Sequence, residues 1–302
     1  MLHGRDVLLT ERIGHTYLLT INREERRNAL SREFYARWDE ELERFNEDDD
    51  LWVLVLTGAG DTAFSSGMDL REFTELQEGA VHTAAPARRK AHVWAPTWKP
   101  MIAAINGFAL AGGWDIAQRC DLRIASEDAR LGITEVRWNL HAPFIAENHT
   151  FPTRAIASEV ALMGQQMTAQ RAYEIGFVNK VVPQADVVPE ALKWAEHICT
   201  LGQESVRKHK QLLYYGRILP QSEVSHLTDE LFYWVGNKPG VVVDSAVGSR
   251  AFAAEEEPDF SSMFEPERLR CQVCGSEYLV AENGPRTSVE CCSQSVRVVG
   301  GL

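Results

Sequence analysis

An α/β fold is predicted by three features of the sequence. Two apolar runs of strand length, Leu51–Leu56 and Ile102–Ile105, have no polar face to spare, as in strands covered on both sides. Segments of helical spacing alternate with them; Glu33–Phe45 carries Phe34, Trp38, Leu42 and Phe45 on one stripe. Glycines follow each apolar run, at Gly58 and Gly60 and again at Gly107, Gly112 and Gly113. Periodicity alone does not separate a stack of ββα units from a doubly wound sheet.

Taken in order, Val7–Glu11 and His15–Ile21 read as two strands around a turn at Gly14. Asn22–Asn28 is a charged loop with Arg23, Arg26 and Arg27. Ser31 caps the helix that follows, and Glu47-Asp-Asp-Asp50 reads as a solvated acidic turn. Residues 71–99 carry a basic cluster, Arg88-Arg89-Lys90, either a solvated face or a phosphate contact. Trp94 and Trp98, four apart on one helical face, are either core or the lining of a ligand pocket. Helical character returns at Trp114–Arg119, and 186–255 reads as amphipathic helices with Leu212, Leu213, Leu231, Phe232 and Trp234 as buried anchors.

The 302 residues suffice for one large domain and a small appendage, and the 45% apolar content is that of an ordinary globular protein. A net charge of −12 argues against binding nucleic acid or anionic membranes through overall charge. It does not favour an anionic ligand either, so such a ligand needs local cations. No apolar run reaches the ~20 residues of a membrane span, and Met-Leu-His-Gly-Arg lacks the apolar core of a signal peptide. A soluble cytoplasmic protein is expected.

Two loops share one design. Thr57-Gly-Ala-Gly60 leads to Phe64-Ser-Ser-Gly-Met-Asp-Leu70, where Gly67 lets the N–H of Met68 turn inward. Asn106-Gly107 leads to Ala111-Gly-Gly113 and a helix start, with free N–H groups and partial positive charge. Two loops offering one backbone N–H each can form an oxyanion hole.

These loops, with Asn22-Arg-Glu-Glu-Arg-Arg-Asn-Ala-Leu30, Val53–Gly58, Ala104-Ile-Asn-Gly107, Ala111-Gly-Gly-Trp-Asp115, Cys120–Ala125, Leu131-Gly-Ile-Thr-Glu135 and Ala172–Val178, resemble the crotonase superfamily, the enoyl-CoA hydratase/isomerase family, over roughly residues 5–260. The resemblance implies the ClpP/crotonase-like spiral of ββα units and an enzyme acting on acyl-CoA thioesters. It implies oxyanion donors at Met68 and Gly112, and acids at Asp115 and Glu135 for water and the Cα proton. CoA contacts are implied at Arg27, Ala29, Met68, Asp69, Leu70, Arg71 and Gly112, with Arg71 and the Arg23, Arg26 and Arg27 loop as the cations for phosphate. Helices from about 186 to 264 are implied to pack on neighbouring subunits in a homotrimer or dimer of trimers. Hydration of an enoyl-CoA is the expected reaction. Isomerisation, hydrolysis or C–C cleavage of a cyclic acyl-CoA, and a non-catalytic scaffold remain as alternatives.

The chain departs from the family in two places near the site. Asp115 is one methylene shorter than the usual glutamate. The Pro-Gly loop and Gly-Gly helix start after the second acid are replaced by Trp138–His149, which adds His141, Glu147 and His149. The tryptophans at 94, 98, 114 and 138 suggest a bulky, cyclic or aromatic acyl group.

After Phe264 the composition changes, giving a division into 1–264 and a 265–302 tail. Four of the six cysteines fall in this tail, as Cys271-Gln-Val-Cys274 and Cys291-Cys292. One Cys-x-x-Cys turn presents two thiolates to one metal, and the second pair can complete a four-cysteine site. The tail resembles a desulforedoxin or rubredoxin knuckle for iron, with a zinc ribbon as the other reading. Free or disulfide-bonded thiols are the alternative, and a cytoplasmic setting disfavours disulfides. Cys120 and Cys199 read as core thiols.

Overall fold

The computed structural model of the chain describes residues 6–72, 74, 97–147, 153–237, 241–260, 268–270, 277–279, 289–291 and 294–296. The chain forms two compact units, Met1–Asn237 and Lys238–Leu302. Arg88-Arg89-Lys90, Trp94, His149, Cys271, Cys274 and Cys292 lie outside the described residues, as do the side chains of Glu147, Leu231, Phe232, Trp234 and Cys291.

The first unit is built on two sheets. The six-stranded sheet has the order β1 (Leu8–Ile13), β2 (Thr16–Ile21), β3 (Val53–Gly58), β5 (Met101–Ile105), β7 (Leu122–Ser126) and β10 (Lys180–Val182). The four-stranded sheet has the order β4 (Ala63–Ser65), β6 (Phe108–Leu110), β8 (Arg130–Gly132) and β9 (Met167–Thr168). β1–β2 and β8–β9 are antiparallel and the other pairings parallel. Three successive units, β3–β4, β5–β6 and β7–β8, each give one strand to the large sheet and the next to the small one. That is the expected stacking of ββα units, and it excludes a doubly wound sheet.

Local chemistry explains the elements. β3 and β5 are buried at every position, as parallel strands covered on both faces require. β3 runs two residues later than the apolar run suggests. Trp52 instead leads into it, stacked on His15 at 3.5 Å between ring centres. Helix α1 (Arg32–Glu47) opens as expected, with Ser31 Oγ accepting from the Phe34 N–H at 3.1 Å, and buries Phe34, Trp38, Leu42 and Phe45. Helix α2 (Gly112–Arg119) starts two residues before Trp114. It is followed by α3 (Arg154–Met163) and α4 (Ala169–Glu174). Helix α5 (Val187–Cys199) lies against β3, β5 and β7, burying Val187, Ala191 and Ala195, whose small side chains permit close approach. Helices α6 (Gln203–Tyr215) and α7 (Gln221–Asn237) follow. Leu213 of α6 is 71% exposed and so is no anchor, and Leu212 is half-buried. Cys120 is buried and Cys199 half-buried. Desolvation pushes the two thiols up, to about 12 and about 11.

The tryptophans are scattered. Trp114 is fully buried and stacks on Phe177, ring centres 3.8 Å apart, with its Nε1 donating to Gln118 Oε1 at 3.1 Å. Trp98 is not helical; it packs on Tyr214 and Tyr215. Trp138 is 67% exposed.

In the second unit, α8 (Val241–Ala254) precedes two short hairpins, Arg268–Arg270 with Glu277–Leu279 and Val289–Cys291 with Gln294–Val296. No helix among the described residues is long and apolar enough to cross a membrane.

Because Trp114 is core, Trp114→Ala should destabilise the protein by about 3–5 kcal/mol, measured by chemical denaturation. Undiminished stability with an altered acyl preference would place this ring in a substrate pocket instead.

Candidate active site

Two loops of the first unit touch. Gly67 has φ +90°, and a methyl carbon built on it would stand 2.8 Å from Gly112 N, Ala111 Cβ and Leu110 O. No side chain fits there, so only glycine serves. A carbon built on Gly112 would in turn stand 3.5 Å from Met68 N and 3.5 Å from Gly67 Cα. The N–H groups of Met68 and Gly112 therefore neighbour each other, as the sequence leads one to expect. Among the described residues neither donates to an acceptor. Gly112 is the first residue of α2, where an N–H has no partner within the helix. An oxygen between the two loops would meet two donors and the positive end of α2.

Side chains without an assigned role in the sequence hold these loops. Asn28 is buried with φ +54°, and its Nδ2 donates to Ala59 O at 2.9 Å and Ala63 O at 2.6 Å. Ser65 Oγ donates to Asn28 O at 2.8 Å and accepts from Gly67 N at 3.1 Å. Leu30 pairs with the Gly67–Asp69 strip through Leu30 N to Gly67 O and Asp69 N to Leu30 O. Asn106 ties the other loop down, with its Nδ2 donating to Gly58 O and Gly60 O, both at 2.8 Å. The signal was present in the Arg-Asn-Ala-Leu30 and Ile-Asn-Gly107 strings: an asparagine beside a turn tolerates left-handed backbone and bonds neighbouring carbonyls. Ala111, with φ +53° and ψ −121°, sits in backbone space that favours glycine, anchored by its N–H to Gly132 O at 2.9 Å.

Glu135 opens the short turn Glu135–Trp138 and is 8% exposed. Its Oε2 is buried with no hydrogen-bond partner among the described residues. Burial, with the charge of Asp115 nearby, pushes the carboxyl up to about 7. Asp115 lies in the first turn of α2, and its Oδ1 accepts from Arg119 Nε at 2.9 Å. The turn after Glu135 closes through Asn139 at φ +53°, a left-handed conformation that asparagine tolerates. His141 is exposed.

The residues expected to meet CoA divide. Arg23 donates to Asp69 Oδ2 at 2.9 Å and also to Ala29 O. Asp69 is mostly buried, which raises its pKa, but the bonds from Arg23 and the Glu72 N–H hold it below the usual carboxylate range. Arg23 is therefore committed within the fold and does not join the cations facing solvent. Arg26, Arg27, Arg71, Met68 and Leu70 are exposed, while Ala29 is buried. A cavity of ≈ 460 Å³ lined by Thr57, Gly58, Asn106 and Gln184 shares none of the donors or acids.

The chain matches the family model for enoyl-CoA hydratase/isomerase over residues 14–263. It is 33% identical over 266 residues to the enoyl-CoA hydratase EchA19 of Mycobacterium tuberculosis, covering 86% of this chain and 97% of that one. It is 35% identical over 212 residues to an (E)-benzylidenesuccinyl-CoA hydratase of Thauera aromatica, covering 68% and 82%. The crystal structure of the enoyl-CoA hydratase EchA1 from Mycobacterium marinum superposes with a TM-score of 0.74 at 29% identity, covering 84% and 98%.

Glu135 carries a stability prediction. Its folded pKa of about 7 exceeds the ordinary 4.5, so between these values the folded state holds more protons. The stabilisation is complete below 4.5 and falls as pH rises through 7. Glu135→Gln removes the cost of a buried charge, on the order of 3 kcal/mol. Melting should show the variant more stable than the parent by about 4–8 °C at pH 8 and nearly equal at pH 5. An equal difference at both pH values would contradict the shift.

Proposed function

The chain belongs to the enoyl-CoA hydratase/isomerase family and is an acyl-CoA-processing enzyme; from that premise we propose that it adds water across the α,β double bond of an enoyl-CoA. The observation that carries the reading is the approach of the Gly67 and Gly112 loops, with two unengaged N–H groups, beside a buried glutamate whose Oε2 lacks a partner among the described residues. The thioester oxygen lies between Met68 N and Gly112 N. Glu135, as carboxylate, takes a proton from a water that Asp115 orients. The hydroxide oxygen bonds to Cβ, and the π electrons move onto the thioester oxygen as an enolate. Each preorganised donor stabilises that charge by about 2.7–4 kcal/mol. Glu135 then delivers its proton to Cα, which restores the thioester and the carboxylate. Phosphate contacts fall to Arg26, Arg27 and Arg71, with Met68 and Leu70 against the pantetheine.

A bulky or aromatic acyl group draws support from the benzylidenesuccinyl-CoA relative. Trp114 and Trp138 lend it none, since one is core and the other faces solvent. Isomerisation is the second reading, because one glutamate near neutral pKa can carry a proton between two carbons as well as from water. Self-association into a trimer or dimer of trimers is supported by apolar surface at Val136, Trp138, Leu162 and Met163. Gly164, directly after Leu162 and Met163, lies against the Glu135–Trp138 turn, since a carbon built on it would stand 2.7 Å from Val136.

The tail is proposed to hold iron or zinc through Cys271, Cys274, Cys291 and Cys292. The Cys-x-x-Cys spacing and the second cysteine pair, after sixteen intervening residues, support it. So short a segment needs a staple.

Incubation with linear, aromatic and alicyclic enoyl-CoAs, followed by mass, should show a gain of water. Fragmentation would indicate a lyase, and an unchanged mass an isomerase or an inactive protein. For the productive substrate, kcat/KM should fall below about pH 7 as Glu135 is protonated; a flat profile from about pH 5 to 8 would remove Glu135 as the base. Metal analysis should find metal in the full chain and none after truncation at Phe264; equal content would refute the tail site.

A further inference from the structure

The two acids of the site are not equivalent, and the difference lies in α2. Asp115 and Arg119 stand one turn apart, and Nε donates to Oδ1 at 2.9 Å with both side chains mostly sheltered, 16% and 17% exposed. Glu135 has no such cation among the described residues, and its Oε2 is unbonded there. α2 itself is held fast. Trp114, Ile116 and Ala117 are buried on its core side, and Gln118 Nε2 donates to Phe144 O at 3.3 Å. Arg119 is thus carried on a firmly packed helix with its side chain mostly sheltered, and a charge-assisted bond from such a donor sets the orientation of the carboxylate that accepts it.

We propose that Arg119 is a positioning residue: it holds Asp115 as the hydrogen-bond acceptor that orients the attacking water, and so leaves proton transfer to Glu135 alone. This rests on the hydratase reading above. Two features support it. Aspartate is one methylene short of the glutamate usual at this position, and its bond to Arg119 fixes that shorter side chain along α2. The carboxylate of Asp115 also raises the proton affinity of Glu135, so the charge that Arg119 fixes in place helps tune the residue that does carry the proton.

The test compares steady-state kinetics of the intact protein on the productive enoyl-CoA. Arg119→Met should lower kcat about tenfold to a hundredfold, as expected for a misplaced group, with KM changed less than about threefold and melting close to the parent. Arg119→Lys should recover part of kcat. Asp115→Asn still accepts a hydrogen bond and should cost about tenfold, whereas Glu135→Gln should cost about a thousandfold or more. Parental kcat in Arg119→Met beside an inactive Glu135→Gln overturns the role of Arg119 alone. A raised KM with unchanged kcat also overturns it, in favour of a substrate-binding cation. Asp115→Asn as damaging as Glu135→Gln overturns it too, since Asp115 would then carry the proton. Should Arg119→Met not fold, Arg119→Lys and Asp115→Asn decide the matter by the same criteria. Full turnover by Glu135→Gln overturns the hydratase reading itself and the proposal with it.

Discussion

The close approach of two main-chain loops at Gly67 and Gly112 is the constraint on which the site depends. A methyl group at residue 67 would collide with three atoms of the other loop at 2.8 Å. Absence of a side chain therefore creates the site: it brings the Met68 and Gly112 amides together and leaves them without partners among the described residues. β3–β4 delivers one loop and β5–β6 the other, and each crosses from the large sheet to the small one. Asn28, Ser65 and Asn106 fasten the loops to backbone carbonyls, so an acyl oxygen placed between them would meet donors that need not reorganise. Ala111 holds its unfavourable backbone angles immediately before Gly112. Strain at that position, held by its bond to Gly132, is what aims the first amide of α2.

Electrostatics sorts the charged residues into roles that composition does not reveal. A chain with net charge −12 must bind an anionic thioester through a few local cations. Arg23 is committed to Asp69 and the Ala29 carbonyl, which brace the Met68 loop. Arg26, Arg27 and Arg71 remain at the surface. In the site, burial and the neighbouring aspartate make Glu135 a carboxyl that exchanges protons near neutrality, at a cost in stability when it is charged. Asp115 has its own counter-charge one turn away.

Much of this was legible in the sequence, and particular residues show why. β3 and β5 announce themselves through apolar runs without a polar face, and α1 through its Ser31 cap and stripe. The spiral was legible only by resemblance, because which sheet takes each strand is decided by pairing far along the chain. The motifs singled out Glu135 and the two glycine loops as candidates, and the fold brings the two loops into contact. Trp114 misled because a large aromatic beside a candidate acid fits a pocket as well as a core; its stack on Phe177, far away in sequence, decides the matter. Leu213 fits a helical stripe, yet it is exposed on α6. Arg119 carried no signal, since an i, i+4 ion pair on a helix is common. The role proposed for it comes from its bond to Asp115, whose charge acts on Glu135, and that juxtaposition is made by tertiary structure.

Vibrational spectroscopy of a bound acyl-CoA, isotopically labelled at the thioester carbonyl, tests the central claim most directly. Two hydrogen bonds from Met68 and Gly112 should weaken the C=O bond and move its stretch to lower frequency than in water. The shift should shrink when Gly67 is replaced by alanine in a variant that still folds and binds CoA. A carbonyl stretch unchanged from that of the free thioester, with the ligand demonstrably bound, would contradict the account.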